Sequence, residues 1–186
     1  VETLTLLRLT KLSDIRALAR AARLRELVVF GETGLSGPDL APLAGSTSLR
    51  TLDTGASGPL STDDLKTIAT IAGLQDLRVQ VAADADLSPL GSLKQLQSLV
   101  ISGDIATLDG LQACTGLTSL KIDKAPRLAH LEPLSGLGQL WELHIGTACN
   151  LKTLQPLAAL STLSSLSLVG AEHLSRAPLK DLPNLQ

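Results

Sequence analysis

Leu117-Thr118-Ser119-Leu120-Lys121-Ile122-Asp123 alternates apolar and polar side chains after its first leucine. Leu120 and Ile122 fall on one side, and Ser119, Lys121 and Asp123 on the other. Period two is the signature of a short strand with one buried face. The pattern Leu-x-x-Leu-x-(Leu/Ile/Val/Thr) returns eight times, beginning at Leu4, Leu24, Leu49, Leu74, Leu96, Leu117, Leu140 and Leu163, and Leu185 sits where a ninth opens. The starts are 20, 25, 25, 22, 21, 23 and 23 residues apart. A unit of this size buries its apolar face only by stacking on its neighbours, so the chain reads as a solenoid. Thr54 departs from the pattern, at a sixth position otherwise held by Leu, Ile or Val.

Between the strands the apolar spacing becomes three. Leu128, Leu131, Leu134 and Leu137 lead into Leu140; Leu108, Leu111 and Cys114 lead into Leu117. Such spacing fits single turns of 3₁₀ helix, whose side chains eclipse at i and i+3. Proline precedes one leucine of several ladders, in Pro42-Leu43, Pro89-Leu90, Pro133-Leu134, Pro156-Leu157 and Pro178-Leu179, presetting φ for a turn and discouraging a long helix. The stretch from Ser61 to Ile71 is the best true helix, with Asp63 and Asp64 at the positive end of its dipole.

These features resemble the leucine-rich repeat, and Asp86-Leu-Ser-Pro-Leu90 and Leu131-Glu-Pro-Leu134 are similar to its internalin-like bacterial subtype. The resemblance implies an α/β solenoid: a horseshoe with a parallel concave sheet of about eight strands and a convex side of 3₁₀ turns, short helix and loop. The family's ninth position, commonly Asn or Cys, is Ala82, Ala125, Ala148 and Ala171 here, and Asp104 in another copy. A buried Asn ladder normally satisfies loop backbone groups there, so its absence leaves the detailed loop geometry open. The alanine-rich wording of Lys124-Ala-Pro-Arg-Leu128 resembles arrays of high-GC bacteria, which often sit at the C-terminus of NACHT-type signalling NTPases. That likeness implies a sensor or autoinhibitory array.

Residues 1–186 read as one continuous array. Apolar residues make up 44 % of the chain, ample for a continuous leucine core, and the net charge of −2 points to neither nucleic acid nor an anionic membrane. There is no apolar run of the roughly 18 residues needed to span a bilayer. With no Met anywhere, the chain reads as part of a longer protein whose flanking domains are candidate partners. Cys114 replaces a ladder leucine and is expected as a buried thiol, while Cys149 lies in a loop beyond disulfide reach of it. This usage fits a reducing compartment and so a cytoplasmic location.

The sheet's polar face is where a partner is expected. By the repeat, its fifth positions are Arg8, Val28, Asp53, Arg78, Val100, Lys121, His144 and Ser167, and its third positions Leu6, Glu26, Thr51, Asp76, Ser98, Ser119, Glu142 and Ser165. Trp141 holds a second position where the other copies carry Thr5, Arg25, Arg50, Gln75, Gln97, Thr118 and Ser164. An otherwise polar column is solvent-facing, and an exposed Trp is a favoured interface anchor; the plainer reading lays it over neighbouring stems or a flanking domain. His144, Glu142, Lys121, Asp123, Arg78, Asp53 and Phe30 extend the candidate partner-binding set.

Arg25 and Arg50 are lateral neighbours able to clamp a phosphate or carboxylate, although Glu26, Asp53 and Asp76 favour a mutually compensated face. Asp123, His144 and Ser167 fall on adjacent strands in the order of a catalytic triad, but without a nucleophile turn or oxyanion loop they read as coincidence. His130 and His173 are too scattered for a metal site, and no zinc spacing or phosphate-binding glycine loop is present. No cofactor is implied. The expectation is a non-enzymatic module for a protein partner, with rivals in a secreted or injected effector array and in an architectural role.

Overall fold

The computed structural model describes residues 1–7, 15–30 and 40–185. Eight strands form one parallel sheet in chain order: β1 (Thr3–Leu7), β2 (Glu26–Phe30), β3 (Thr51–Ala56), β4 (Asp76–Gln80), β5 (Ser98–Ser102), β6 (Ser119–Ile122), β7 (Glu142–Ile145) and β8 (Ser165–Leu168). From β2 onward the register is the one the repeat dictates. Leu27, Leu52, Leu77, Leu99, Leu120, Leu143 and Leu166 are successive lateral partners, and all but Leu166 are buried. One main-chain device recurs where each strand from β2 to β8 begins. The N–H groups of the second and third positions both donate to the second-position carbonyl of the preceding copy, as Thr118 and Ser119 do to Gln97 O at 2.8 and 3.0 Å.

β1 corrects the reading of the first copy. Leu4 pairs with Leu27 and Leu6 with Val29, so Leu4 holds a fourth position and the copy begins at Val1 rather than Leu4. Val1/Leu4/Leu6 and Leu4/Leu7/Leu9 both satisfy the apolar spacing. Burial decides between them, because only the first set turns Leu4 and Leu6 toward the core. The interval to Leu24 becomes 24 − 1 = 23 residues, within the range of the other copies. Glu2, Thr3 and Thr5 therefore occupy the places expected for Thr5, Leu6 and Arg8, and Leu7 turns outward. Arg8 lies outside the described residues.

β3 carries a second irregularity. Val28 pairs with Asp53, but Phe30 pairs with Ala56, so β3 holds one extra residue, a bulge. Thr54 lies within it, 1 % exposed, and its buried Oγ1 has no hydrogen-bond partner.

The convex side follows the three-residue spacing. Among the described residues, 3₁₀ turns at Ala41–Leu43, Ser88–Ser92, Glu132–Leu134, Gln155–Ala159 and Ala177–Leu179 each carry the expected proline in their first two positions. Helix α1 (Thr62–Ala69) is capped by Ser61: Asp64 N–H donates to Ser61 Oγ at 3.3 Å, and Ser61 N–H to Asp64 Oδ2 at 2.7 Å. Leu65 and Ile68 bury its inner face.

The missing Asn ladder is replaced in two ways. Ala125 and Ala148 donate their N–H groups to Gly146 O and Val169 O of the next copy, so main chain does the work of the amide. Arg127 ties three successive loops: its Nε reaches Asp104 Oδ2 at 2.9 Å, and its Nη2 donates to Asp104 O and Ala83 O. Asn150 Nδ2 donates to Pro126 O at 2.6 Å. Cys114 is buried with its Sγ donating to Leu90 O at 3.3 Å, and Cys149 is exposed; both are free thiols.

Candidate functional site

In the observed register the third positions are Thr3, Glu26, Thr51, Asp76, Ser98, Ser119, Glu142 and Ser165, and the fifth positions Thr5, Val28, Asp53, Arg78, Val100, Lys121, His144 and Ser167. Three acids of the third-position column each accept a hydroxyl from the preceding copy: Thr3 to Glu26 at 3.2 Å, Thr51 to Asp76 at 3.4 Å and Ser119 to Glu142 at 2.7 Å. These bonds run across strands, so the column is a row of oriented carboxylates and not of free ones. Arg78 Nε stands 3.7 Å from Asp53 Oδ2, whose other oxygen accepts Gly55 N–H at 3.0 Å. Lys121 lies 3.9 Å from Asp123, which also accepts Ser102 Oγ at 2.6 Å.

Trp141 precedes β7 and is 47 % exposed. Its backbone N–H donates to Thr118 O, and its carbonyl accepts the N–H groups of Ser164 and Ser165, so the indole projects from a fixed point of the ladder. Glu142 and His144 follow on β7, half-buried, with Lys121 and Ser167 flanking His144 laterally. The structure thus sets Lys121 beside His144 and Ser119 beside Glu142 across β6 and β7, with Trp141 just before β7 and Asp123 just after β6. Phe30, 41 % exposed, is five strands away, about 24 Å at roughly 4.8 Å per strand. Beside it in register stands Leu7, 60 % exposed, which the misplaced first copy concealed; the short 20-residue interval was its signal.

The catalytic trio does not assemble. His144 pairs in register with Lys121 and Ser167, while Asp123 lies beyond the end of β6 and is held by Ser102 and Lys121. Glu26 and Asp76 accept the hydroxyls of Thr3 and Thr51, and Asp53 stands beside Arg78, so none of the three forms an ion pair with Arg25 or Arg50 among the described residues. His130 Nδ1 lies 3.6 Å from Glu132, and His173 Nε2 lies 3.0 Å from Leu151 O, in separate repeats. Among the described residues, no three His, Cys, Asp or Glu side chains gather as a metal site, and no helix is long and apolar enough to cross a membrane.

No family model and no curated protein matches the sequence. Solved structures do match by shape. Internalin C2 from Listeria monocytogenes aligns with a TM-score of 0.69 at 26 % identity, covering 85 % of this chain and 67 % of that one. The fold is a leucine-rich repeat solenoid. A second internalin, inlF from the same organism, aligns at 0.54 and 26 % identity over 95 % of this chain and 70 % of its own. The leucine-rich repeat domain of the type III effector XopL aligns over 100 % of this chain and 77 % of its own, at 0.65; its 22 % identity is a likeness of fold alone. The two internalins support reading this solenoid as a protein-interaction domain.

Proposed function

We propose that this solenoid is a non-enzymatic recognition module that engages a protein partner through the patch around Trp141. The observation that carries the reading is a 47 %-exposed indole in a column of polar residues, on a chain whose aromatic content is 1 %. A preformed sheet presents Trp141, Glu142, His144 and Lys121 without an ordering cost, so affinity follows from complementarity rather than area. As parent we favour a bacterial intracellular signalling or defence protein, in which the array acts in the cytoplasm as sensor or autoinhibitory element. The likeness to internalins supports a second reading, a secreted or injected array facing a host protein.

The test uses the protein as bait in lysate of its source organism beside a Trp141→Ala/His144→Ala variant whose fold is verified by circular dichroism. A partner held by the wild type and lost by the variant supports the reading. A buried Trp anchor contributes at least about 2 kcal/mol, roughly thirty-fold in Kd. Equal capture by both baits removes Trp141 from the interface.

A further inference from the structure

We propose that a hollow beside the N-terminal ends of β2 and β3, lined by Glu2, Arg23, Arg25, Ser48 and Arg50, is a subsite for one dianionic oxyanion: the phosphate of a phosphorylated serine or threonine on a protein partner. The hollow measures about 290 Å³. Its frame is fixed by the ladder, since Arg50 N–H donates to Arg25 O at 2.7 Å, setting the two arginines one strand spacing apart. Arg50 is oriented further. Its Nη1 donates to Thr47 O at 2.8 Å and Leu49 O at 3.1 Å, and it packs over Gly73, where any Cβ would collide with it. Carbonyls aim the guanidinium without neutralising it, and Nε and Nη2 remain for a ligand.

Three arginines line this one hollow. Four cations elsewhere on the surface stand beside carboxylates, in Lys66–Asp63, Arg78–Asp53, Lys121–Asp123 and Arg127–Asp104. Among the described residues Arg23, Arg25 and Arg50 make no ion pair, and Glu2 is the one carboxylate lining their hollow. Three cations against one anion leave a surplus of two positive charges, which a phosphate monoester dianion matches and which guanidinium groups bind by paired N–H donors. The neighbouring columns carry Glu26, Asp53 and Asp76, which repel a chain of phosphates. A single phosphate borne on a protein fits that pattern, and a nucleic acid does not. The protein source rests on the recognition reading above; the anion site itself does not.

The test is an NMR titration of ¹⁵N-labelled protein, read at the arginine Nε–H signals, with acetyl-Gly-phosphoSer-Gly-amide, its unphosphorylated twin and a short oligouridylate. Saturable shifts are expected at Arg25 and Arg50 with the phosphopeptide, and at least tenfold weaker binding with the twin. The response should vanish in Arg25→Gln/Arg50→Gln and persist in Arg78→Gln. Arg25→Gln alone keeps the test readable if the double variant loses its fold, because the Arg25 side chain makes no bond within the described structure. Shifts spread evenly to Arg176, a failure to saturate, or wild-type binding by the variants would overturn the site. Oligouridylate binding as tightly as the phosphopeptide would overturn the protein source. Because no step involves Trp141, a negative result here leaves the Trp141 interface standing, and loss of that interface leaves this titration intact.

Discussion

Thr54→Val addresses the one buried side-chain hydroxyl that the β3 bulge leaves unpaired. Thr54 is 1 % exposed and its Oγ1 has no partner, whereas its carbonyl accepts both Ser57 N–H at 3.0 Å and Ser57 Oγ at 2.7 Å. A buried polar group without a partner costs about 1–3 kcal/mol. Valine keeps the branched shape, removes that cost and disturbs neither Ser57 bond. The expected gain is about 1–2 kcal/mol, which at roughly 2–4 °C per kcal/mol for a chain of this size raises Tm by roughly 2–8 °C. Thr54→Ser keeps the hydroxyl and deletes a methyl, and should lose about 1 kcal/mol. Urea unfolding followed by circular dichroism reads both variants, with the slope m unchanged. A Thr54→Val midpoint equal to or below wild type would refute the reasoning, because the hydroxyl would then be satisfied in the folded state.

Leu120→Ala, between Leu99 and Leu143 in mid-sheet, should cost about 2–5 kcal/mol. The half-buried Leu166 of β8 should cost roughly half as much on the same substitution; equal losses in urea would show that burial does not grade the core. In thiol titration with Ellman's reagent, Cys149 should react in the native protein and Cys114 only on unfolding. Burial pushes the Cys114 thiol above its ordinary 9.0, so moderately alkaline pH should not make it reactive. The hydroxyl and N–H of Ser88 hold Asp86 below its ordinary 3.8. A carboxyl depressed in the folded state stabilises above the unfolded pKa and loses that contribution as pH falls through the folded value. Acid titration of Asp86→Asn should therefore show a shallower loss of stability below about pH 4, and an unchanged slope would contradict the assignment.

Where the apolar spacing was unambiguous, the fold was legible in the residues. Leu96 to Leu168 repeats without competing registers, and every strand from β5 to β8 falls where period two puts it. The first copy was not, because Val1, Leu4, Leu7 and Leu9 support two overlapping patterns and only stacking on β2 chooses between them. That choice also decided which side chains face outward, so Leu7 was missed and the columns were misnumbered at their first member. Thr54 announced an irregularity by its polarity, but polarity alone does not reveal an inserted residue. The loop ties through Arg127 were illegible for another reason: the Asn ladder's task passed to backbone carbonyls and to a side chain at a different position. Exposure of Trp141 followed from the polarity of its column. The nearness of Arg78 to Asp53 was legible too, because the two are neighbours in the fifth-position column, whereas Arg25 and Arg50 stand in the second.

Trp141 is the only tryptophan in the chain, so its fluorescence reports one point of the surface. The decisive measurement titrates the captured partner into the protein while following indole emission and acrylamide quenching. Recognition centred on Trp141 predicts a blue shift and a loss of quenching that saturate together with binding. Saturable binding with emission and quenching unchanged would contradict it and move the interface elsewhere on the solenoid.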